Sequence, residues 1–411
     1  MRLRFWLLAA PVIVGAVLAV SGIDWSGHAL RIYMSASQPL EVGAAAHRET
    51  SEGVDFTVTA ITDQLEMPWS FAFMPGGDIL VTERGGSVQR LDPESGTLTA
   101  ISGVPEVFYQ GQGGLLDIAL LPSLPASKHV SSQASSQADM SQPLWVYLTY
   151  SAPMGEDLST TRLARARLEG DALRDLEVLY TTEPVQKTKK HYGGRLLFDD
   201  GYLFMTMGER GQADLAQRLD TDLGKVLRFN SDGSVPADNP FATTPDARPA
   251  IYSYGHRNPQ GLARHPVTGE VWVTEHGPQG GDELNRLQPG ANYGWPVITY
   301  GEQYGGGKIG EGTAKEGMEQ PVYYYVPSIA TGGLSFYQGA QFPDWNGNAF
   351  IGALRAFHLN RLSFTPDGKA VEHRMLSDLN LRLRDVKQGP DGNLYLLSEQ
   401  GSLLRLSPAT D

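Results

Sequence analysis

The sequence has no cysteine among its 411 residues, which excludes disulfides, thiolate nucleophiles, iron–sulfur clusters, zinc–cysteine sites and a lipidated N-terminal cysteine. Any metal must be held by oxygen or histidine. Basic charge is also scarce: 33 Lys and Arg stand against 46 Asp and Glu, a net charge of −13 that becomes −15 without Arg2 and Arg4. A nucleic-acid surface is not expected of such a chain. It also lacks a glycine-rich strand–turn–helix fingerprint, so no nucleotide site is expected. Chain breakers, by contrast, are abundant. The 47 Gly and 26 Pro are too many for a helical bundle and suit short strands joined by turns. At 41% apolar residues the chain is too apolar for disorder and long enough for a large core. The expected class is all-β.

Arg2 and Arg4 precede an uncharged apolar run from Phe5 to Ile23, which ends near the small residues Ala19, Ser21 and Gly22. This reads as an export segment: a signal peptide or, because the run is long enough to cross a bilayer, an N-terminal membrane anchor over 1–23. Either predicts a periplasmic protein. Residues 24–52 are small, polar and irregular and read as a linker, leaving 53–411 for the folded domain. Within it, the serine- and glutamine-rich stretch Pro125–Pro143 reads as a flexible surface insertion.

Four segments share one pattern: apolar alternation, a turn, then a strand ending in an acid and glycine. They are Phe71–Gly85, Leu196–Gly211, Leu262–Gly277 and Val386–Gly401, with acids Glu83, Glu209, Glu275 and Glu399. The acids are 126, 66 and 124 positions apart, close to two, one and two units of about 63. Leu144–Ser151 and Asn348–Leu354 are β-rich runs in the gaps, which makes six units. A unit this small cannot bury its apolar face alone, so the units must stack, and a ring limits exposed edges. The expectation is a six-bladed β-propeller of four-stranded antiparallel blades, with long loops on one face around the central channel.

Five clusters place polar residues beside glycine near strand ends. Tyr109–Asp117 surrounds Gln112 with flexible glycines and by itself is only a turn. Lys190–Arg195 sets His191 before a blade strand, with Glu209 at the end of that strand's hairpin; a histidine held by a carboxylate makes a better general base, although a lone loop histidine is more often ordinary. Tyr254–Leu262 packs His256, Arg257 and Asn258 into a tight turn, where a fixed guanidinium either polarises a carbonyl, binds an acid, or satisfies loop carbonyls. Thr274–Trp295 combines Asp282 and Glu283 with the carbonyls around Gly277, Pro278 and Tyr293. This is a donor set for a hard cation such as Ca2+ without EF-hand spacing, or else a solvated acidic loop. Arg382 and Arg384 alternate along an expected strand and so share a face, as suits a polycarboxylate ligand or a protected edge.

In this order, KHYGGR, MGERG, GKVLRFNSDGSVPADNPF, YGHRNPQGL, TEHGPQGGDELN, GANYGWP and RLRD resemble the glucose/sorbosone dehydrogenase family, soluble quinoproteins that use pyrroloquinoline quinone (PQQ). The resemblance spans about Gly53 to Pro408. It implies a monomeric PQQ-dependent aldose sugar dehydrogenase that oxidises the C1 hydroxyl of aldoses to lactones and passes electrons to an external acceptor. On the matching positions, His191 takes the hydroxyl proton, with Glu209 orienting it. Arg257 supports the reacting quinone carbonyl, Asn258 and Gln112 face the cofactor, and Arg382, Arg384 and Arg355 bind its acids. The carbonyls of Gly277 and Pro278 hold a cofactor-bridging calcium, and Glu283 with the Tyr293 carbonyl holds a second, structural one. Two positions depart from the glucose enzyme: Glu209 stands for an aspartate, and Lys190 for an acid. The alternatives are a calcium-dependent propeller lactonase or esterase, and a non-catalytic propeller that binds glycan or protein.

Overall fold

The computed structural model describes residues 42–43, 45–121 and 144–409. The apolar run at 5–23 and the insertion at 125–143 lie outside the described residues. Strands come in antiparallel groups along the chain, as the turn-rich repeats require. Blade I is β3 (Pro68–Phe73), β4 (Ile79–Glu83), β5 (Ser87–Leu91) and β6 (Leu98–Ile101). Blade II is β7 (Leu115–Leu120), β8 (Leu144–Pro153), β9 (Ser159–Glu169) and β10 (Ala172–Thr181). Blade III is β11 (Leu196–Asp199), β12 (Tyr202–Met207), β13 (Lys225–Asn230) and β14 (Ile251–Tyr254). Blade IV is β15 (Pro259–Arg264), β16 (Val271–Glu275), β17 (Asp282–Arg286) and β18 (Tyr323–Tyr325). Blade V is β19 (Thr331–Phe336), β20 (Ala349–Ala353), β21 (His358–Phe364) and β22 (Ala370–Met375).

Blade VI joins both ends of the described chain. Its strands β23 (Leu383–Gln388), β24 (Leu394–Ser398) and β25 (Leu403–Pro408) come from the C-terminal side, and β2 (Val54–Thr62) from the N-terminal side completes the four. A fifth strand, β1 (Ala45–Ser51), pairs with β2 at the outer edge. This corrects the reading of 24–52 as linker at its end. His47, Arg48, Glu49 and Thr50 lack the apolar alternation of a core strand, yet an edge strand needs only one ladder partner and keeps a polar outer side.

The fold is thus a six-bladed β-propeller with almost no helix. The innermost strands β3, β7, β11, β15, β19 and β23 touch in succession and close the ring. Apolar residues gather between the blades, one cluster at each of the six junctions. The seam between blades V and VI shows how the ring is locked. Phe56 on β2 meets Trp345 edge-on at 5.7 Å, and Trp345 stacks on Phe342 at 4.3 Å, so closure rests on buried aromatic area as well as on the β2–β25 ladder.

One topological consequence places the site. The N-terminal ends of the innermost strands and the C-terminal ends of the second strands, being antiparallel neighbours, open on the same rim of the channel. Deeper in the channel lies a buried ionic plug. Arg195 Nη1 is 3.0 Å from Asp385 and 3.5 Å from Asp117, the single Ser70 hydroxyl lies 2.5 Å from Asp117 and 3.0 Å from Asp385, and Lys387 Nζ is 3.4 Å from Asp385. The residues come from blades I, II, III and VI, and their charges balance.

Candidate active site at the channel rim

His191 sits just before β11, with its backbone at φ +55°, a left-handed conformation uncommon outside glycine. Several partners hold it there. Its N–H donates to Gln112 Oε1 at 2.7 Å, the following Gly193 N–H donates to Asn258 Oδ1 at 3.2 Å, and Arg210 Nε donates to the Lys190 carbonyl at 2.9 Å. The loop crosses the β12 end so closely that a Cβ on Gly208 would lie 2.2 Å from the His191 carbonyl oxygen. The glycines of KHYGGR and MGERG are therefore what allow the base loop and its carboxylate to approach.

The imidazole is buried, and Nδ1 lies 2.9 Å from the Glu209 carboxylate. A proton on Nδ1, donated to Glu209, leaves Nε2 with a free lone pair. Burial holds the ring below its ordinary value, helped by the charges of Arg257 and Lys190 and opposed by Glu209. Burial alone would raise Glu209. The hydrogen bond and charge of His191, then Arg257 and the Gly211 amide, outweigh it and keep the carboxyl ionised below its usual range.

Arg257 lies in the turn before β15. Its N–H donates to Glu275 Oε2 at 2.7 Å, its Nη1 to the Gly277 carbonyl at 2.7 Å and the His276 carbonyl at 3.2 Å, and its guanidinium stands 5.3 Å from the Trp295 ring. Its Nε is buried without a partner. Glu275 also receives His256 Nδ1 at 2.9 Å, and the other side of that ring meets Ser253 at 2.8 Å. His256, candidate chemistry in sequence, is thus fully engaged in structure.

Arg382 and Arg384, beside and on β23, share Glu399. Arg382 Nε donates to it at 2.7 Å and Arg384 Nε at 2.9 Å, while Arg382 Nη1 reaches the Leu354 carbonyl at 2.7 Å. Burial works to raise Glu399, but the charges of Arg384 and Arg382, with Arg84 behind them, hold it down at about 2. One carboxylate thus stands among three guanidiniums. Arg355 is exposed next to Leu354 and has no side-chain partner among the described residues.

The TEHGPQGGDE segment forms a turn whose shape depends on Asp282. Its carboxylate accepts from the Gly277 N–H (2.8 Å), Ser328 Oγ (2.8 Å) and the Ala330 N–H (2.7 Å). Asp282 is therefore spent on the turn, which leaves the carbonyls of Gly277 and Pro278 as the oxygen donors there. A Cβ at Gly277 would lie 2.3 Å from the Gly280 and Gly281 carbonyl oxygens, so only glycine fits. Glu283 stands opposite Glu275 across the β16–β17 ladder and shares Asn285 Nδ2 with it. Burial, then the Glu275 charge, push Glu283 up to about 8; a bound cation would relieve that repulsion. Tyr293 stacks on His256 at 4.5 Å in the same neighbourhood.

The structure thus gathers His191, Glu209, Gln112, Arg257, Asn258, Gly277, Pro278, Arg355, Arg382 and Arg384 at one end of the channel, with Glu283 and Tyr293 in the supporting layer. Gln112 and Asn258 differ from expectation in one respect: their side-chain oxygens hold the His191 loop. Sequence reasoning missed Arg84, whose Nη2 donates to the carbonyls of Gly111 and Gly113, and Gln260, which accepts from Arg384 Nη1 at 3.1 Å. It also missed His276, whose Nε2 meets the Thr331 carbonyl at 2.6 Å. His276 is pushed down to about 3 by burial together with the charges of Arg384, Arg257 and His191, which places all four in one field. A signal for Arg84 was present, because Glu83-Arg84-Gly85 repeats as Glu209-Arg210-Gly211.

This donor set suits a flat polyanion: several guanidiniums converge and the buried Nε atoms of Arg257 and Arg84 have no partner; the carbonyls of Gly277 and Pro278, each already accepting one hydrogen bond, keep a second lone pair for a hard cation. A groove of about 490 Å3 lined by Pro321–Pro327, Glu372 and Arg374 lies at the perimeter between β18 and β22 and includes none of these residues.

Known proteins share this architecture. The chain is 40% identical over 359 residues to aldose sugar dehydrogenase YliI of Escherichia coli, covering 85% of this chain and 92% of the relative. The crystal structure of the soluble aldose sugar dehydrogenase from E. coli in the apo form superposes with a TM-score of 0.79 at 40% identity, over 86% of this chain and all of that one. The PQQ-bound aldose sugar dehydrogenase of Streptomyces coelicolor gives a TM-score of 0.68 at 28% identity, over 86% and 98% of the two chains. Residues 65–405 match the family described as Glucose / Sorbosone dehydrogenase. The chain belongs to the glucose/sorbosone dehydrogenase family.

Proposed function

We propose that the protein is a periplasmic quinoprotein dehydrogenase that oxidises the C1 hydroxyl of aldose sugars to lactones. The observation that carries this reading is the buried His191–Glu209 pair, 2.9 Å apart, on the same rim as Arg257, Arg382 and Arg384. A neutral imidazole with its Nε2 lone pair free takes the proton of the C1 hydroxyl, while Glu209 stabilises the charge that develops on the ring. The guanidiniums of Arg382, Arg384 and Arg355 would bind the carboxylates of PQQ, Gln112 and Asn258 would line its site, and Arg257 would hydrogen-bond its reacting carbonyl. The carbonyls of Gly277 and Pro278 would hold a calcium that orients the cofactor, and Glu283 with the Tyr293 carbonyl would hold a structural one. When bound, PQQ supplies the two-electron acceptor for the C1 hydride, which no side chain here can do.

The hydrolase alternative needs carboxylates converging over the channel. Among the described residues, the one group of three acids or histidines with ligand atoms within 4.8 Å of each other is His47, Glu49 and Asp378, which includes two residues of edge strand β1, away from His191. Adding PQQ and calcium to the purified protein tests the assignment. The expected result is an absorbance change with dye reduction that depends on aldose. Lactone hydrolysis without quinone would replace this reading with the hydrolase, and inactivity in both assays would leave a binding propeller.

A further inference from the structure

The rim beside His191 carries positive charge that neither the base nor the cofactor clamp uses. Lys187, Lys189 and Lys190 fall within four residues immediately before the histidine, and all three are exposed. None has a carboxylate partner among the described residues, although the protein is acidic overall. Three ammonium groups on one loop with no acid beside them mark a local field of opposite sign to the whole molecule.

Lys190 is the best placed of the three. Its backbone carbonyl is fixed by Arg210 Nε at 2.9 Å. Its side chain lies over Gly211, with Nζ 3.5 Å and Cε 2.7 Å from where a Cβ would stand. Gly211 is the residue whose N–H caps Glu209, so the ammonium flanks the His191–Glu209 pair from the solvent side. Glu209, whose carboxylate accepts from that Gly211 N–H, is buried and committed to His191 and Gly211, so it does not neutralise Lys190. A four-carbon stem lets the ammonium follow a charged group on a ligand held at His191.

We infer that Lys190, supported by Lys189 and Lys187, makes this site favour aldoses that carry a carboxylate away from C1, the aldohexuronic acids, over their neutral counterparts. This rests on the dehydrogenase reading above. The chemistry at C1 is unchanged: the hydroxyl proton goes to His191, the hydride reduces the quinone, and an added dye reoxidises it. The remote carboxylate gains only attraction at the mouth. A solvent-exposed charge pair is worth about two- to fivefold and is screened as salt rises, so the preference should be modest at low ionic strength and fade at high.

The test uses the holoenzyme reconstituted with PQQ and calcium. Dye-coupled kcat/KM is measured for D-glucose, D-galactose, D-glucuronate and D-galacturonate at low and high salt, in the wild type and in Lys190→Gln and Lys190→Glu. Melting curves confirm that these surface variants fold. The expected result is a uronate-to-neutral ratio above one at low salt that shrinks with salt, falls in Lys190→Gln and inverts in Lys190→Glu. A ratio at or below one, or one that the variants leave unmoved, overturns the inference while glucose oxidation keeps the dehydrogenase reading. Quinone bound with no sugar oxidised defeats that reading itself. Running each assay with anionic ferricyanide and cationic phenazine methosulfate adds a further outcome. If Lys190→Gln slows only the ferricyanide reaction and leaves the sugar ratio unmoved, the lysines serve an anionic electron acceptor and the substrate inference is wrong.

Discussion

At the scale of single residues, His191 must be basic enough to take a proton and yet uncharged when the sugar arrives. Burial lowers its affinity for a proton and Glu209 restores part of it, so the neutral ring persists at neutral pH. Replacing His191 by Gln should lower turnover by about 10²–10⁴-fold and leave quinone affinity, read by absorbance titration, nearly unchanged. Loss of quinone binding instead would give the ring a structural role. The Glu209→Gln variant tests the balance. Since Glu209 raises the ring's proton affinity, its removal should move the acid limb of kcat/KM further below the ordinary histidine value of 6.5 and reduce kcat. An acid limb displaced upward would mean that Glu209 does not act through His191.

At the scale of elements, the acid repeated at the end of the second strand in four of the six blades turns out to be the organising device. Glu209 holds His191, Glu275 holds the Arg257 backbone, and Glu399 holds Arg382 and Arg384. The repeat was legible in the sequence because each acid falls at the same place in a hairpin pattern, and the same spacing implied six blades. What each acid touches was legible only for Glu209. The partners of Glu275 and Glu399 come from loops that topology, not sequence distance, brings to the rim. Gln112 and Gln260 were harder still, since a glutamine in a glycine turn looks like any other until the loop it supports is in place. Edge strand β1 escaped for a related reason: its stability comes from a ladder with β2, which polar composition does not reveal.

The shared carboxylate makes Glu399 a sharp test of this arrangement. Held at about 2 against an ordinary 4.5, it contributes stability that is complete above pH 4.5 and lost as pH falls towards 2. Glu399→Gln should therefore cost about 3–5 kcal/mol near neutrality by leaving buried guanidiniums without their anion. The gap from wild type in urea melts should narrow across that acid window; a gap constant with pH would mean that the carboxylate is not the titrating group. Arg382→Ala should instead act on the ligand, weakening quinone binding by about 1.5–3 kcal/mol, the worth of a charged hydrogen bond. Unchanged affinity would remove Arg382 from the clamp.

At the scale of the whole molecule, the ring must keep a channel open at the rim and closed below it. The plug of Arg195, Asp117, Asp385, Lys387 and Ser70 ties four of the six blades together at the axis. It is also wired to the site, since Arg195 Nε donates to the Gln260 carbonyl at 2.9 Å and Gln260 Oε1 accepts from Arg384 Nη1 at 3.1 Å. Arg195 further packs its guanidinium 4.3 Å from the Trp69 ring centroid. Arg195→Met preserves much of the volume but leaves two buried carboxylates facing one lysine, and breaking a buried pair in this way costs about 3–5 kcal/mol. Because the plug spans blades rather than one sheet, the loss should appear as one earlier cooperative unfolding transition. Quinone affinity should weaken in the same variant as Gln260 loosens its hold on Arg384. A loss of unfolding free energy no larger than that of ordinary surface substitutions, about 0.5 kcal/mol, would show that Lys387 alone can neutralise the axis and that the blades are held by their apolar junctions without it.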